Sequence, residues 1–173
     1  MILFLVGYMA SGKTTIGKSL SKKLGYKFVD LDDYIVEKEG NTINEIFKSK
    51  GEIYFRKTES LLLNEIIQNN DKLVLSLGGG TPCYGDNMDL MLGKTNAKTI
   101  YLKATIKTLS KRLRIEKNRR PLISHLESEE LLTEYIGKHM FERSQYYSQA
   151  NITVSIEGKS ESEIVEDIIL NLF

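Results

Sequence analysis

The stretch Gly7-Tyr8-Met9-Ala10-Ser11-Gly12-Lys13-Thr14 constrains this chain more than any other, because it fits the spacing G-x-x-x-x-G-K-[ST] between an apolar run, Ile2–Val6, and a helical pattern, Lys13–Leu24. A strand entering such a loop and a helix leaving it make a phosphate cradle. Gly7 and Gly12 let backbone N–H groups converge on the anion, and the helix N-terminus adds its positive end. Ala10, Ser11, Gly12, Lys13, Thr14 and Thr15 are thereby expected to surround the phosphates of ATP, with Lys13 on the β- and γ-phosphates. The Thr14 hydroxyl is placed for one Mg²⁺, a hard ion that takes few protein ligands beside nucleotide phosphates.

The rest of the chain repeats this strand-then-helix rhythm. Short apolar runs at Ile2–Val6, Lys27–Asp30, 73–77, 99–102 and Ile152–Ser155 alternate with helical patterns at Lys13–Leu24, 52–68, Ile106–Glu116, 127–147 and 162–172. That alternation predicts an α/β fold with a mostly parallel sheet. At 173 residues the chain is expected to be one domain, 1–173. Two stretches break the rhythm: 31–51, which reads as short helices stopped by Gly40 and Gly51, and 117–128. Both look like insertions at the ligand edge of the sheet.

Charge narrows the partners. A net charge of +1 supplies no field for nucleic acid or anionic lipid, so anions must be bound by locally placed groups. The apolar start is too short for a signal peptide or a membrane span, and Cys83, the lone cysteine, forms no internal disulfide. A cytoplasmic location is expected, with Cys83 neutral in function. His125 and His139 lack a metal-ligand spacing and read as surface residues.

A phosphate loop alone does not separate a kinase from a nucleotide switch. Three further sites do. Asp30 and Asp32 close the second strand in alternation, so extended geometry would turn both carboxylates toward the loop. Asp30 then suits a metal-bound water and Asp32 suits the proton of an attacking hydroxyl; alternatively, Asp32 or Asp33 caps the following helix. The chain has eighteen lysines but six arginines, Arg56, Arg112, Arg114, Arg119, Arg120 and Arg143, so each arginine is a selective choice. Four crowd into Arg112–Arg120, at the second insertion, where one could meet the transferring phosphoryl group, and Arg119 fits a solvated turn. Arg56 and Arg143 stand alone on helices, where each suits a carboxylate ligand or an internal salt bridge. After the third strand, Gly78-Gly79-Gly80 leaves backbone open for close contact with a polar substrate, in excess of what a tight turn requires.

The phosphate loop, Asp30-Leu31-Asp32, the segment from Gly51-Glu52 to Arg56, Gly78-Gly79-Gly80, Arg120-Pro121-Leu122 and Arg143 with Tyr147 together resemble shikimate kinase in order and spacing over nearly the whole chain. The resemblance implies a nucleoside-monophosphate-kinase-like P-loop fold, with a five-stranded parallel sheet, a substrate-binding insertion at about 31–60 and a lid at 117–128. It also implies that Asp32, Arg56, Gly79 and Arg143 hold shikimate, joined by Gly78 and Gly80, with the two arginines on its carboxylate. Arg120 would be the catalytic lid arginine beside Lys13 and Asp32, and Arg112 the arginine that stacks on adenine, with Arg114 as the other candidate. Where this chain has Ala10, the family usually has glycine. The expected reaction is transfer of the ATP γ-phosphoryl group to the shikimate 3-hydroxyl by a monomer. Its rivals are a gluconate or nucleoside-monophosphate kinase and a nucleotide-dependent switch without turnover.

Overall fold

Strands that are apolar on both faces must be covered on both faces, and this requirement organises the molecule. The computed structural model describes residues 1–116, 123–126 and 128–173. Among them β1 (Ile2–Val6), β2 (Lys27–Asp30), β3 (Leu73–Ser76), β4 (Ala97–Lys103) and β5 (Ile152–Ser155) form one parallel sheet in the order β2-β3-β1-β4-β5. Leu3 to Val6 of β1 and Leu73 to Leu75 of β3 have no solvent exposure. Each such side chain contributes about 1.5–3 kcal/mol relative to an exposed one.

The helices are α1 (Lys13–Leu24), α2 (Leu31–Glu39), α3 (Ile43–Gln68), α4 (Asn87–Gly93), α5 (Ile106–Glu116), α6 (Glu129–Tyr147) and α7 (Glu161–Leu172). α1 packs on β3 and α7, while α5 pairs with α6. β1 lies between β3 and β4, so the chain leaves it toward β2 and β3 on one side and toward β4 and β5 on the other. The C-terminal end of β1 is therefore the crevice where ligands enter this kind of sheet. No helix among the described residues is long and apolar enough to cross a membrane.

Gly40 and Gly51 act as the expected stops. Gly40 ends α2 at φ 69°, and Gly51, at φ 83° and ψ 172°, breaks α3 into two helical pieces. The structure adds α4 and a 3₁₀ turn at Thr81–Cys83, both too short to show a helical period. It also starts two helices at serine caps: Ser128 accepts from the Leu131 N–H, and Ser160 forms a capping box with Glu163 ahead of α7. Those caps move the helix starts to 129 and 161, from the expected 127 and 162.

Candidate active site

The loop after β1 carries a local backbone cost. Ala10 sits in the left-handed region at φ 63°, where a residue with a Cβ loses about 1–2 kcal/mol relative to glycine. Arg112 of α5 braces that residue, donating from Nη1 to the Ala10 carbonyl at 2.9 Å. Lys13 is 8% exposed and lies along the loop, its Nζ donating to the carbonyls of Gly7 and Tyr8, each at 2.9 Å. Gly7 packs so closely on β4 that a Cβ there would stand 2.9 Å from the Leu102 carbonyl oxygen.

A cavity of about 600 Å³ opens in front of this loop. Ala10, Gly12, Lys13, Thr14 and Thr15 line it from the loop and α1, Asp30 and Asp32 from the next strand and helix, and Arg112 from α5. Ser11 is buried and borders a smaller recess with Thr15, Arg112 and Lys159. Arg114 points elsewhere, pairing with Glu129 at 3.1 Å on the exposed side of α5 and α6. Of these two arginines, Arg112 is the one that lines the cavity. Arg119 and Arg120 lie outside the described residues, as does most of the lid segment.

The two aspartates reach the cavity by a route other than alternation. β2 ends at Asp30 and the chain turns directly into α2, so Asp32 stands in the first helical turn. The cap expected of Asp32 or Asp33 is made by Asp30, whose Oδ1 accepts the Asp32 N–H at 3.1 Å. Its other oxygen accepts from the Thr14 hydroxyl at 2.8 Å. The helix N-terminus favours a charged Asp32, yet burial wins: desolvation, followed by the negative charges of Asp30 and Glu59, pushes its carboxyl up to about 6 against the opposing pull of Lys13 and Arg56.

The glycine run gathers the remaining candidates. A Cβ on Gly78 would meet Asp32 Oδ1 at 3.1 Å and Glu59 Oε1 at 3.3 Å. On Gly79 it would meet Arg143 Nη1 at 3.3 Å, and on Gly80 Arg56 Nη2 at 2.7 Å. Three consecutive backbone units are thus pressed by charged side chains, Gly78 by Asp32 of α2 and Glu59 of α3, Gly79 by Arg143 of α6 and Gly80 by Arg56 of α3. Tyr147 holds the run in place by donating to the Gly79 carbonyl at 2.5 Å. Arg56 donates to Glu59 at 2.8 Å, lies 3.7 Å from Glu52 and stacks 4.0 Å from the Tyr84 ring. Arg143 differs: no carboxylate among the described residues pairs with it, and its neighbours are Tyr8, Tyr147, Cys83 and the glycine backbone.

Glu59 escaped the sequence reading. It is fully buried, accepting from Thr81 at 2.6 Å and from Arg56. Its signal was an acid placed within the apolar stripe Phe55, Leu62, Leu63 and Ile66 of α3. His139 is a correction: it is not a free surface residue but lies half-buried against Tyr8, with Nδ1 3.0 Å from the phenol oxygen. His125 is exposed, as expected.

Comparison with known proteins gives a consistent result. The family model described as shikimate kinase matches residues 9–173. A shikimate kinase of Flavobacterium psychrophilum is 48% identical over 171 residues, covering 99% of this chain and 98% of the relative. Among solved structures, the shikimate kinase of Bacteroides thetaiotaomicron superposes with a TM-score of 0.91 at 35% identity, covering 99% of this chain and 98% of its own. That of Acinetobacter baumannii in complex with shikimate has a TM-score of 0.86 at 31% identity, covering 99% and 92%.

Proposed function

The chain belongs to the shikimate kinase family, and on that premise we propose that the cavity before the phosphate loop, extended to the triglycine run, is where ATP phosphorylates the shikimate 3-hydroxyl. The products are shikimate 3-phosphate and ADP. One observation carries the acceptor assignment: Arg143 is a half-buried cation without a carboxylate partner among the described residues, placed against the Gly79 backbone. A charge held out of water in this way calls for an anion, and the carboxylate of shikimate meets that need. Arg56, already paired with Glu59, contributes a second and more rigid donor face.

In this reading the Asp32 carboxylate, ionised above a pKa of about 6, accepts the 3-hydroxyl proton as the oxygen attacks the γ-phosphorus and the bond to the β-phosphate oxygen breaks. Lys13 leaves its loop carbonyls for the phosphates, and Arg120 from the lid at 117–128 shares the developing charge. Arg112 faces the adenine side. Among the described residues no group of three or more His, Cys, Asp or Glu side chains is arranged to hold a metal ion by itself, while Thr14 and Asp30 offer oxygen ligands together at the cavity wall. That donor set fits Mg²⁺, which would supply charge neutralisation on the phosphates. The same reading has the chain working as a cytoplasmic monomer of one domain, with 31–60 forming the acceptor wall.

Two outcomes are expected here. Arg143→Ala should raise the shikimate KM by roughly 10- to 150-fold, the equivalent of about 1.5–3 kcal/mol for a charged hydrogen bond, and leave the ATP KM nearly unchanged. A coupled ADP-release assay run with shikimate, gluconate, AMP and no acceptor measures this and tests the acceptor itself; equal changes in both KM values would remove Arg143 from the acceptor site. Asp30→Asn should raise the Mg²⁺ concentration needed for half-maximal rate, with excess Mg²⁺ restoring much of the loss. A magnesium titration that leaves wild type and variant parallel would take Asp30 out of the metal site.

A further inference from the structure

We propose that His139 is a positioning residue of the acceptor site, acting through Tyr8, whose ring forms the surface on which Arg143 lies. The inference rests on the reading of Arg143 as the ligand of the shikimate carboxylate. Tyr8 belongs to the phosphate loop but is 1% exposed, and its ring lies beneath the Arg143 guanidinium, 5.6 Å from Cζ to the centroid. A buried phenol needs a hydrogen-bond partner, and the one provided is His139 Nδ1 at 3.0 Å. His139 stands one helical turn before Arg143 on α6, and Tyr135, a further turn back, packs its ring 4.3 Å from the imidazole. One helix therefore carries both the arginine and the tether of the surface beneath it.

The charges around His139 favour a neutral ring. Burial first, then the Arg143 guanidinium, hold its pKa below the usual histidine value, with Glu142 opposing. Burial likewise keeps the Tyr8 phenol protonated. A hydroxyl both donates and accepts, so the bond forms with either neutral tautomer. With the phenol tethered, the ring cannot tilt and the guanidinium plane above it keeps one orientation toward Gly79. Without the tether the ring remains, but its angle is set only by packing.

Steady-state kinetics of His139→Ala, Tyr8→Phe, the double variant and His139→Asn test this in the full chain, with Arg143→Ala alongside and thermal melts for each. Loss of one hydrogen bond should raise the shikimate KM about three- to tenfold in His139→Ala and Tyr8→Phe, with kcat and the ATP KM within about twofold. The double variant should be no worse than the worse single one, because both remove the same bond. Asparagine places a polar atom where Nδ1 stood and should restore most of the loss. An unchanged shikimate KM in His139→Ala and Tyr8→Phe, or an asparagine no better than alanine, overturns the proposal, and so does a parallel rise in the ATP KM. If Arg143→Ala also leaves the shikimate KM unmoved, the acceptor assignment itself fails; if it raises KM as expected, only the role of His139 is lost.

Discussion

Replacing Asp32 by asparagine is expected to lower kcat about 10²–10⁴-fold and weaken shikimate binding, with ATP affinity nearly untouched. The amide keeps the shape of the side chain in the first turn of α2 but can neither take a proton nor carry charge. Because burial holds the carboxyl at about 6, wild-type kcat should fall as pH drops below that value, and this acid limb should vanish in the variant. Stability should move the other way. A folded-state pKa above the unfolded value means that the protonated form is the one the fold prefers, and this contribution is lost as pH rises from the usual carboxylate range through about 6. Asp32→Asn should therefore melt higher than wild type at pH 8, with the gap closing toward pH 4. The helix cap belongs to Asp30, so no loss of capping offsets this gain. An intact kcat in the variant would remove Asp32 from the chemistry.

Lys13→Ala is expected to cut turnover by about 10²–10³-fold or more, through loss of a positive group held against the transferring phosphoryl charge. The fold should survive. The Nζ donates to the loop carbonyls of Gly7 and Tyr8, and the side chain lines the ligand crevice, where water can replace the ammonium. A circular-dichroism melt beside the ADP-release assay separates the two effects. Near-normal turnover in a folded variant would defeat the assignment of the loop to the γ-phosphate. A collapsed melt would instead give Lys13 a structural role.

The features that could be read from the chain were those carried by neighbouring residues. β1, the phosphate loop and α1 form one continuous stretch, Ile2 to Leu24, so their order and spacing state the geometry directly. Apolar runs with helices between them required a parallel sheet because both faces had to be covered. Gly40 and Gly51 showed where α2 and the first part of α3 stop, since both positions need positive φ. Local extrapolation failed where a cap intervened: Asp30 ended its strand by binding the Asp32 N–H, so the alternation meant to align the two aspartates never continued.

The sequence by itself determined the parallel sheet, the phosphate loop and the identity of the charged groups available to a substrate, because periodicity and contiguous spacing are properties of short stretches. Tertiary structure decided which of those groups meet. Arg112 reaches Ala10 across 102 positions, Tyr147 reaches Gly79 across 68, and His139 reaches Tyr8 across 131. It also decided how tightly Asp32 holds its proton, since desolvation and the nearby charges of Asp30 and Glu59 exist only once β2, α2 and α3 have closed around that carboxylate. Burial and through-space charge depend on segments distant in the chain, so no local pattern could have stated them.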